Sequence, residues 1–119
     1  MSSAWEFWAV RTRKRNALVD WLSGRQPLQA KVDALLRRLK FIWPKWPMPY
    51  YRPLGGGAGE IRLDDGNVEH RIYGYFSGNG FVVMFASSDK KTQQQSIKNA
   101  KKLKKEYAIT PPPMERYDV

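Results

Sequence analysis

The spacing of apolar positions changes several times along the chain, and each change marks an element. "WEFWAVR" (5–11) mixes aromatic residues with Val10 and predicts a first strand. From Lys14 the apolar positions fall at Ala17, Leu18, Trp21 and Leu22, a helical stripe that Gly24 can end. Pro27 suits the first turn of a second helix. Its buried face would be Leu28, Val32, Leu35, Leu36 and Leu39, with Lys31, Arg37, Arg38 and Lys40 outside. The short link "SGRQ" makes the two helices a hairpin.

Prolines at 44, 47, 49 and 53 and glycines at 55, 56, 57 and 59 break the next stretch, which reads as a loop over 43–59. Alternation then returns. "EIRL" (60–63), "VEHRIYGYF" (68–76) and "FVVMFA" (81–86) predict three strands, joined by the turn sequences "DDGN" and "SGNG". Ile97, Ala100, Leu103 and Tyr107 give the lysine-rich segment a narrow helical stripe. The order is β-α-α-β-β-β-α, an α+β domain over 1–108 with an extended, weakly ordered tail over 109–119. In this reading the sheet is antiparallel, the helical hairpin covers one face, and the other face is free for function.

Composition narrows the chemistry. The 119 residues suffice for one core, and 21 Lys+Arg against 11 Asp+Glu leave a net charge of +10. Such a charge favours a polyanionic partner: nucleic acid, acidic protein or anionic membrane. With no cysteine there is no disulfide framework, zinc–thiolate cluster or thiol nucleophile. A single histidine, His70, is a thin basis for acid–base catalysis. No metal or cofactor is expected. No apolar run approaches the ~18 residues of a membrane span. The charged start "MSSAWEFWAVRTRKRN" is unlike a secretory leader, so a soluble cytoplasmic protein is the expectation.

Strand alternation sorts the charges. Glu60 and Arg62 share one face of their strand, and Glu69, Arg71, Tyr73 and Tyr75 share one face of the next. Val68, His70, Ile72 and Phe76 take the opposite side. If Ile61, Leu63 and Ile72 meet the helices, then Glu60, Arg62, Arg71 and Tyr73 point outward together, with Lys90 and Lys91 at the rim. This set suits RNA cleavage without metal. The substrate's own 2′-hydroxyl attacks the phosphorus, and the protein positions the phosphate and stabilises charge on the phosphorane. Arginine grips non-bridging oxygens with two donors, and lysine adds a mobile positive charge. Glu60 would act as base or hold Arg71. Against this stands ordinary decoration, since cross-strand Glu–Arg pairs contribute about 0.2–1 kcal/mol each in any sheet.

The run "GEIRL…EHRIYGYF…VVMFASSDKKTQQQSIKNAKKLKKEY" resembles the RelE/HigB superfamily of bacterial and phage toxins, and within it the HigB-like, phage-derived branch. The elements that carry the likeness are Glu60-Ile61-Arg62, His70-Arg71-Ile72, the apolar strand to Phe85, the Lys90-Lys91 pair, and Ala100 followed by "KKLKKEY". It covers 58–107 well and reaches 5–42 by order of elements. The resemblance implies the toxin of a type II toxin–antitoxin pair that cuts mRNA on the translating ribosome. It also implies an antitoxin partner, commonly of the helix-turn-helix type. Phosphate handling would fall to Arg62, Arg71, Lys90 and Lys91, and the family's acid to Glu60. "TQQQSIKNA" departs from the family's Thr-Pro and acidic positions, and only Tyr107 and Tyr117 stand near the end for proton transfer. Two alternatives remain open: a gyrase-poisoning relative that cuts no RNA, and a non-catalytic RNA-binding module.

His70, on the side of Ile72, reads as a satisfied, half-buried packing residue. Trp5 and Trp8 read as packing residues too. Trp43 and Trp46 would either stack on bases, dock an antitoxin, or cap the core. Glycines 55–57 lack the Lys-Ser/Thr of a phosphate loop and lead into a strand, so they suggest a lid or hinge. Lys98, Lys101, Lys102 and Lys105 form a solvated helical stripe that would also rest on ribosomal RNA.

Overall fold

A computed structural model of the chain describes residues 5–42, 46–47 and 49–119. The expected elements are all present: β1 (Glu6–Val10), α1 (Ala17–Leu22), α2 (Gln26–Ile42), β3 (Ala58–Asp65), β4 (Val68–Ser77), β5 (Gly80–Ser87) and α3 (Gln93–Ile109). Two further strands join them, β2 (Tyr51–Gly55) and β6 (Met114–Tyr117). The sheet has six strands in the order β2-β3-β4-β5-β1-β6.

The sheet is mixed, not wholly antiparallel. β3, β4 and β5 form the expected meander, whereas β1 runs parallel to β5 and antiparallel to β6. The connection from β1 to β5 runs through the helical hairpin and then β2, β3 and β4, and it is long enough for the parallel pairing that a short turn cannot make. β2 lies inside the stretch read as a loop. It is an edge strand, where a proline such as Pro53 costs no ladder bond on the open side. Residues 114–117 are extended, as expected, and they are also built into the sheet. Tyr117 donates to Asp33 Oδ1 at 2.5 Å, and Glu115 accepts from Asn16 Nδ2 and, at 3.1 Å, from Arg15 Nε. Asn16 in turn caps α1, its side chain accepting from the amides of Leu18 and Val19.

Both faces of the sheet are covered. α1 and α2 bury Leu18, Val32, Leu36 and Leu39 against Phe7, Ile61, Ile72 and Phe81. α3 lies on the opposite face, where Ala100 packs with Val10, Ala58, Tyr73, Tyr75 and Val82. The face expected to be free is therefore partly roofed by α3, and this changes what the charged residues can reach.

Candidate functional site

β3 and β4 pair so that Arg62 stands opposite Arg71 and Glu60 opposite Tyr73. Two guanidiniums facing each other would repel, and carboxylates from both strands are threaded between them. Arg71 Nε binds Glu60 Oε1 at 3.1 Å, and its Nη2 binds Glu69 Oε2 at 2.7 Å. Glu69 also takes Arg62 Nη2 at 2.9 Å, and Arg62 Nε reaches Asp64 at 3.2 Å. At the other end Arg52 of β2, opposite Glu60 in register, binds Glu60 Oε2 at 3.1 Å. The result is one continuous chain of alternating charge: Arg52, Glu60, Arg71, Glu69, Arg62, Asp64.

Glu60 and Arg71 do not face solvent as expected. They are 3% and 5% exposed, and Tyr73 is fully buried beside them. The cause is α3, whose first residue, Gln93, closes over the pair. With its carbonyl oxygen towards the guanidiniums, Gln93 accepts from Arg52 Nη2 and Arg71 Nε, both at 3.2 Å. The Tyr73 hydroxyl makes no hydrogen bond among the described residues, although Glu60 and Ser96 lie close enough to act on it. Burial, followed by the charge of Glu60, pushes its pKa up to about 12.

Arg62 and Arg52 behave differently. Their side chains are 39% and 43% exposed, so both guanidiniums are reachable from solvent, although Arg62 is held through Nε and Nη2 by Asp64 and Glu69. The hydrogen bond to Asp64 raises the Arg62 pKa further. Lys90 and Lys91 are exposed on the single 3-10 turn that Asp89 caps ahead of α3. Lys90 lines a cleft of about 390 Å³ with Glu69, Asp64 and Ser88. The hydrogen bond from Arg71 holds the Glu69 carboxyl below its ordinary range, with Arg62 and Lys90 acting the same way. The structure thus brings Glu60, Arg62 and Arg71 together and sets Lys90 at their rim, with Lys91 beside it. Arg52 escaped the sequence reading because its Pro/Gly-rich surroundings hid a strand.

Lys98, Lys101, Lys102 and Lys105 are all exposed on α3, as their spacing implies. Lys104, outside that stripe, lies over the Tyr75 ring at 5.1 Å. His70 is buried more deeply than expected, with Nδ1 2.7 Å from Ser88 Oγ and its ring edge-on to Trp21. Burial, then Arg25, lowers its pKa. Trp46 belongs to the core: it stacks on Phe7 and donates its indole N–H to the Leu39 carbonyl at 2.7 Å. Trp43 lies outside the described residues. Glycines 55–57 make the β2–β3 turn with positive φ at all three.

The model of a family described as phage-derived, Gp49-like protein matches residues 20–108, from within α1 to the last residue but one of α3. An uncharacterized protein of Haemophilus influenzae strain Rd is 31% identical over 92 residues, 76% of this chain and 88% of that relative. No solved structure matches. On that match, which spans the charge chain, the lysine turn and all of the third helix but its last residue, the protein belongs to the family of phage-derived Gp49-like proteins, a family of the toxin–antitoxin, RelE-like kind.

Proposed function

We propose that this chain is the toxin of a toxin–antitoxin pair and that it is an endoribonuclease acting on mRNA at the ribosome. The observation that carries the reading is the gathering of Arg52, Arg62, Arg71 and Lys90 around one surface, with the inner arginine held by two carboxylates. In the reaction the 2′-oxygen of the substrate bonds to the adjacent phosphorus while the bond from phosphorus to the 5′-oxygen breaks. The 2′-hydroxyl loses its proton and the 5′-oxygen gains one. A cyclic phosphate and a 5′-hydroxyl result.

The division of labour follows from exposure. Arg62, Lys90 and Lys91 meet the non-bridging oxygens, where charge builds on the phosphorane. Arg71 is a positioning residue, since both of its bonded edges are committed to Glu60 and Glu69. Glu60 aims Arg52 and Arg71 and is not the base. A cognate antitoxin restrains the activity.

Single-turnover cutting of mRNA on programmed ribosomes tests this. Arg62→Ala slows the chemical step by about a hundredfold while ribosome affinity changes little. Intact mRNA alongside broken DNA would identify a gyrase poison instead. Undiminished cutting by Arg62→Ala would remove this site from the reaction.

A further inference from the structure

A second cavity, of about 440 Å³, opens between β5 and α3 and is lined by Met84, Phe85, Asn99, Lys102, Leu103 and Glu106. Its floor exists because of a register shift. β5 pairs Phe85 with Tyr73 and Val83 with Gly74, so Met84 is an extra residue in that strand. A bulge of this kind puts two successive side chains on one side and re-aims them. Without it Phe85 would fall on the hairpin face with Phe81 and Val83. With it, Phe85 stacks on Tyr73 at 4.9 Å and 26° and presents its remaining surface to the cavity.

Phe85 is half-buried, and its support is rigid, because Tyr73 is fully enclosed next to Glu60. The walls carry three different polar groups. Asn99 accepts from Gln95 Nε2 on its amide oxygen at 3.1 Å, which leaves its N–H donors for the cavity. Glu106 makes no ion pair among the described residues, although Lys101, Lys102, Lys104 and Lys105 share its helix. Lys102 adds a cation at the mouth. A flat aromatic floor, an amide donor, a free carboxylate acceptor and a nearby cation match the faces of one ligand class. The ring stacks, the edge both donates and accepts, and the attached phosphate is anionic.

We infer that this cavity is a nucleobase subsite that holds a purine of the RNA strand, stacked on Phe85 and read at its edge by Asn99 and Glu106. The subsite rests on the ribonuclease reading for its biological context. The inner arginine and the base floor are close neighbours, since Arg71 and Tyr73 lie two positions apart on the same face of β4, and Tyr73 supports Phe85. A strand whose phosphate lies at Arg62 and Lys90 can therefore seat a neighbouring base at Phe85.

The test measures direct binding and needs no cleavage. Fluorescein-labelled hexamers of adenosine, of uridine and of abasic ribose phosphate are titrated with the full chain by anisotropy at several salt concentrations. The adenosine hexamer should bind tightest. Phe85→Leu, which keeps an apolar contact on Tyr73, should weaken it by about 5- to 100-fold, leaving the abasic hexamer and the salt slope unchanged. Lys102→Ala should weaken all three alike. Asn99→Ala, at an exposed position where folding is not at stake, should narrow the gap between adenosine and uridine. Equal binding of the adenosine and abasic hexamers by the wild type would overturn the subsite, as would equal losses on both in Phe85→Leu. If base-dependent binding is found but mRNA is never cut, the subsite stands and the nuclease reading fails. Cutting without base-dependent binding would leave the nuclease and remove the subsite.

Discussion

Glu60 and Arg71 meet at 3.1 Å on neighbouring strands, and both are almost fully enclosed beneath the first turn of α3. A buried ion pair is a weak stabiliser in net terms, because removing both charges from water costs nearly what their attraction returns. Its effect here is geometric. Glu60 also fixes Arg52, and Arg71 also fixes Glu69, which fixes Arg62. The buried pair thus sets the angle of both exposed guanidiniums.

Removing Glu60 leaves the buried Arg71 guanidinium with Glu69 and Gln93 only, and removes the carboxylate that holds Arg52. Glu60→Ala should lower the unfolding free energy by about 2–3 kcal/mol in urea titrations, less than the loss expected where a buried charge keeps no partner. Glu60→Met combined with Arg71→Met should cost much less than the two single changes added together. A double variant as unstable as that sum would show that the residues act independently.

The helical hairpin, the meander and the lysine helix were legible because their apolar positions repeat at periods of 3.6 or 2 over many residues. β2 was not, since five residues holding Pro53 and closing on Gly55 carry no alternation, and only the unpaired edge of β3 gives them a partner. β6 was hidden for the same reason. Its place comes from the ladder with β1 and from Asn16, Arg15 and Asp33, all distant in the chain, about a hundred positions for the first two side chains. The site was half legible: alternation placed Glu60, Arg62 and Arg71 on one face. It could not show that α3 would close over that face, because an apolar stripe does not say which side of a sheet it will meet. The bulge at Met84, which brings Phe85 to that side, breaks the very alternation the reading relies on.

His70 should leave a pH signature. Its neutral imidazole is favoured in the fold, by burial first and by the facing Arg25 and Lys31, with Asp65 opposing them. The folded pKa therefore lies below the ordinary 6.5, and the unfolded chain binds the proton more readily. The penalty is absent above that value and grows as pH falls through 6.5 towards the folded pKa. Asp65, Glu69 and Glu115 have depressed pKa values, so the stability they contribute is lost only at lower pH. Urea midpoints should fall between about pH 7.5 and 5, and His70→Gln should flatten that interval. An equal slope in the variant would assign the decline elsewhere.

Gly74 faces a different constraint. A β-carbon there would stand 2.1 Å from the Val82 carbonyl oxygen and 2.5 Å from the Phe81 ring. Backbone cannot yield as the end of a lysine can, and the position adjoins the bulge. Gly74→Ala should destabilise the fold by about 3 kcal/mol or more, at the upper end for an overpacked site. Gly66→Ala, in a turn with open space around it, should cost less, and only through its positive φ. Melting both variants checks the order.

The lysine stripe and the arginine chain should separate in a single experiment. Lys101 and Lys105 are exposed and make no ion pair among the described residues, so each acts as a diffuse charge towards a polyanion. Replacing both with alanine should weaken ribosome binding and lower its salt dependence by about one to two counterions. Chemistry at saturation should survive, because neither residue belongs to the chain from Arg52 to Asp64. Lys90→Ala should do the reverse. Its ammonium sits at the rim beside Glu69, and in the proposed reaction it would stabilise the charge that develops on the phosphorane, so single-turnover cutting should slow while the salt slope moves by no more than about one counterion. Equal loss of binding in both variants, with chemistry intact, would reduce the whole surface to an electrostatic landing site. The catalytic assignment of Arg62, Lys90 and Lys91 would then fall.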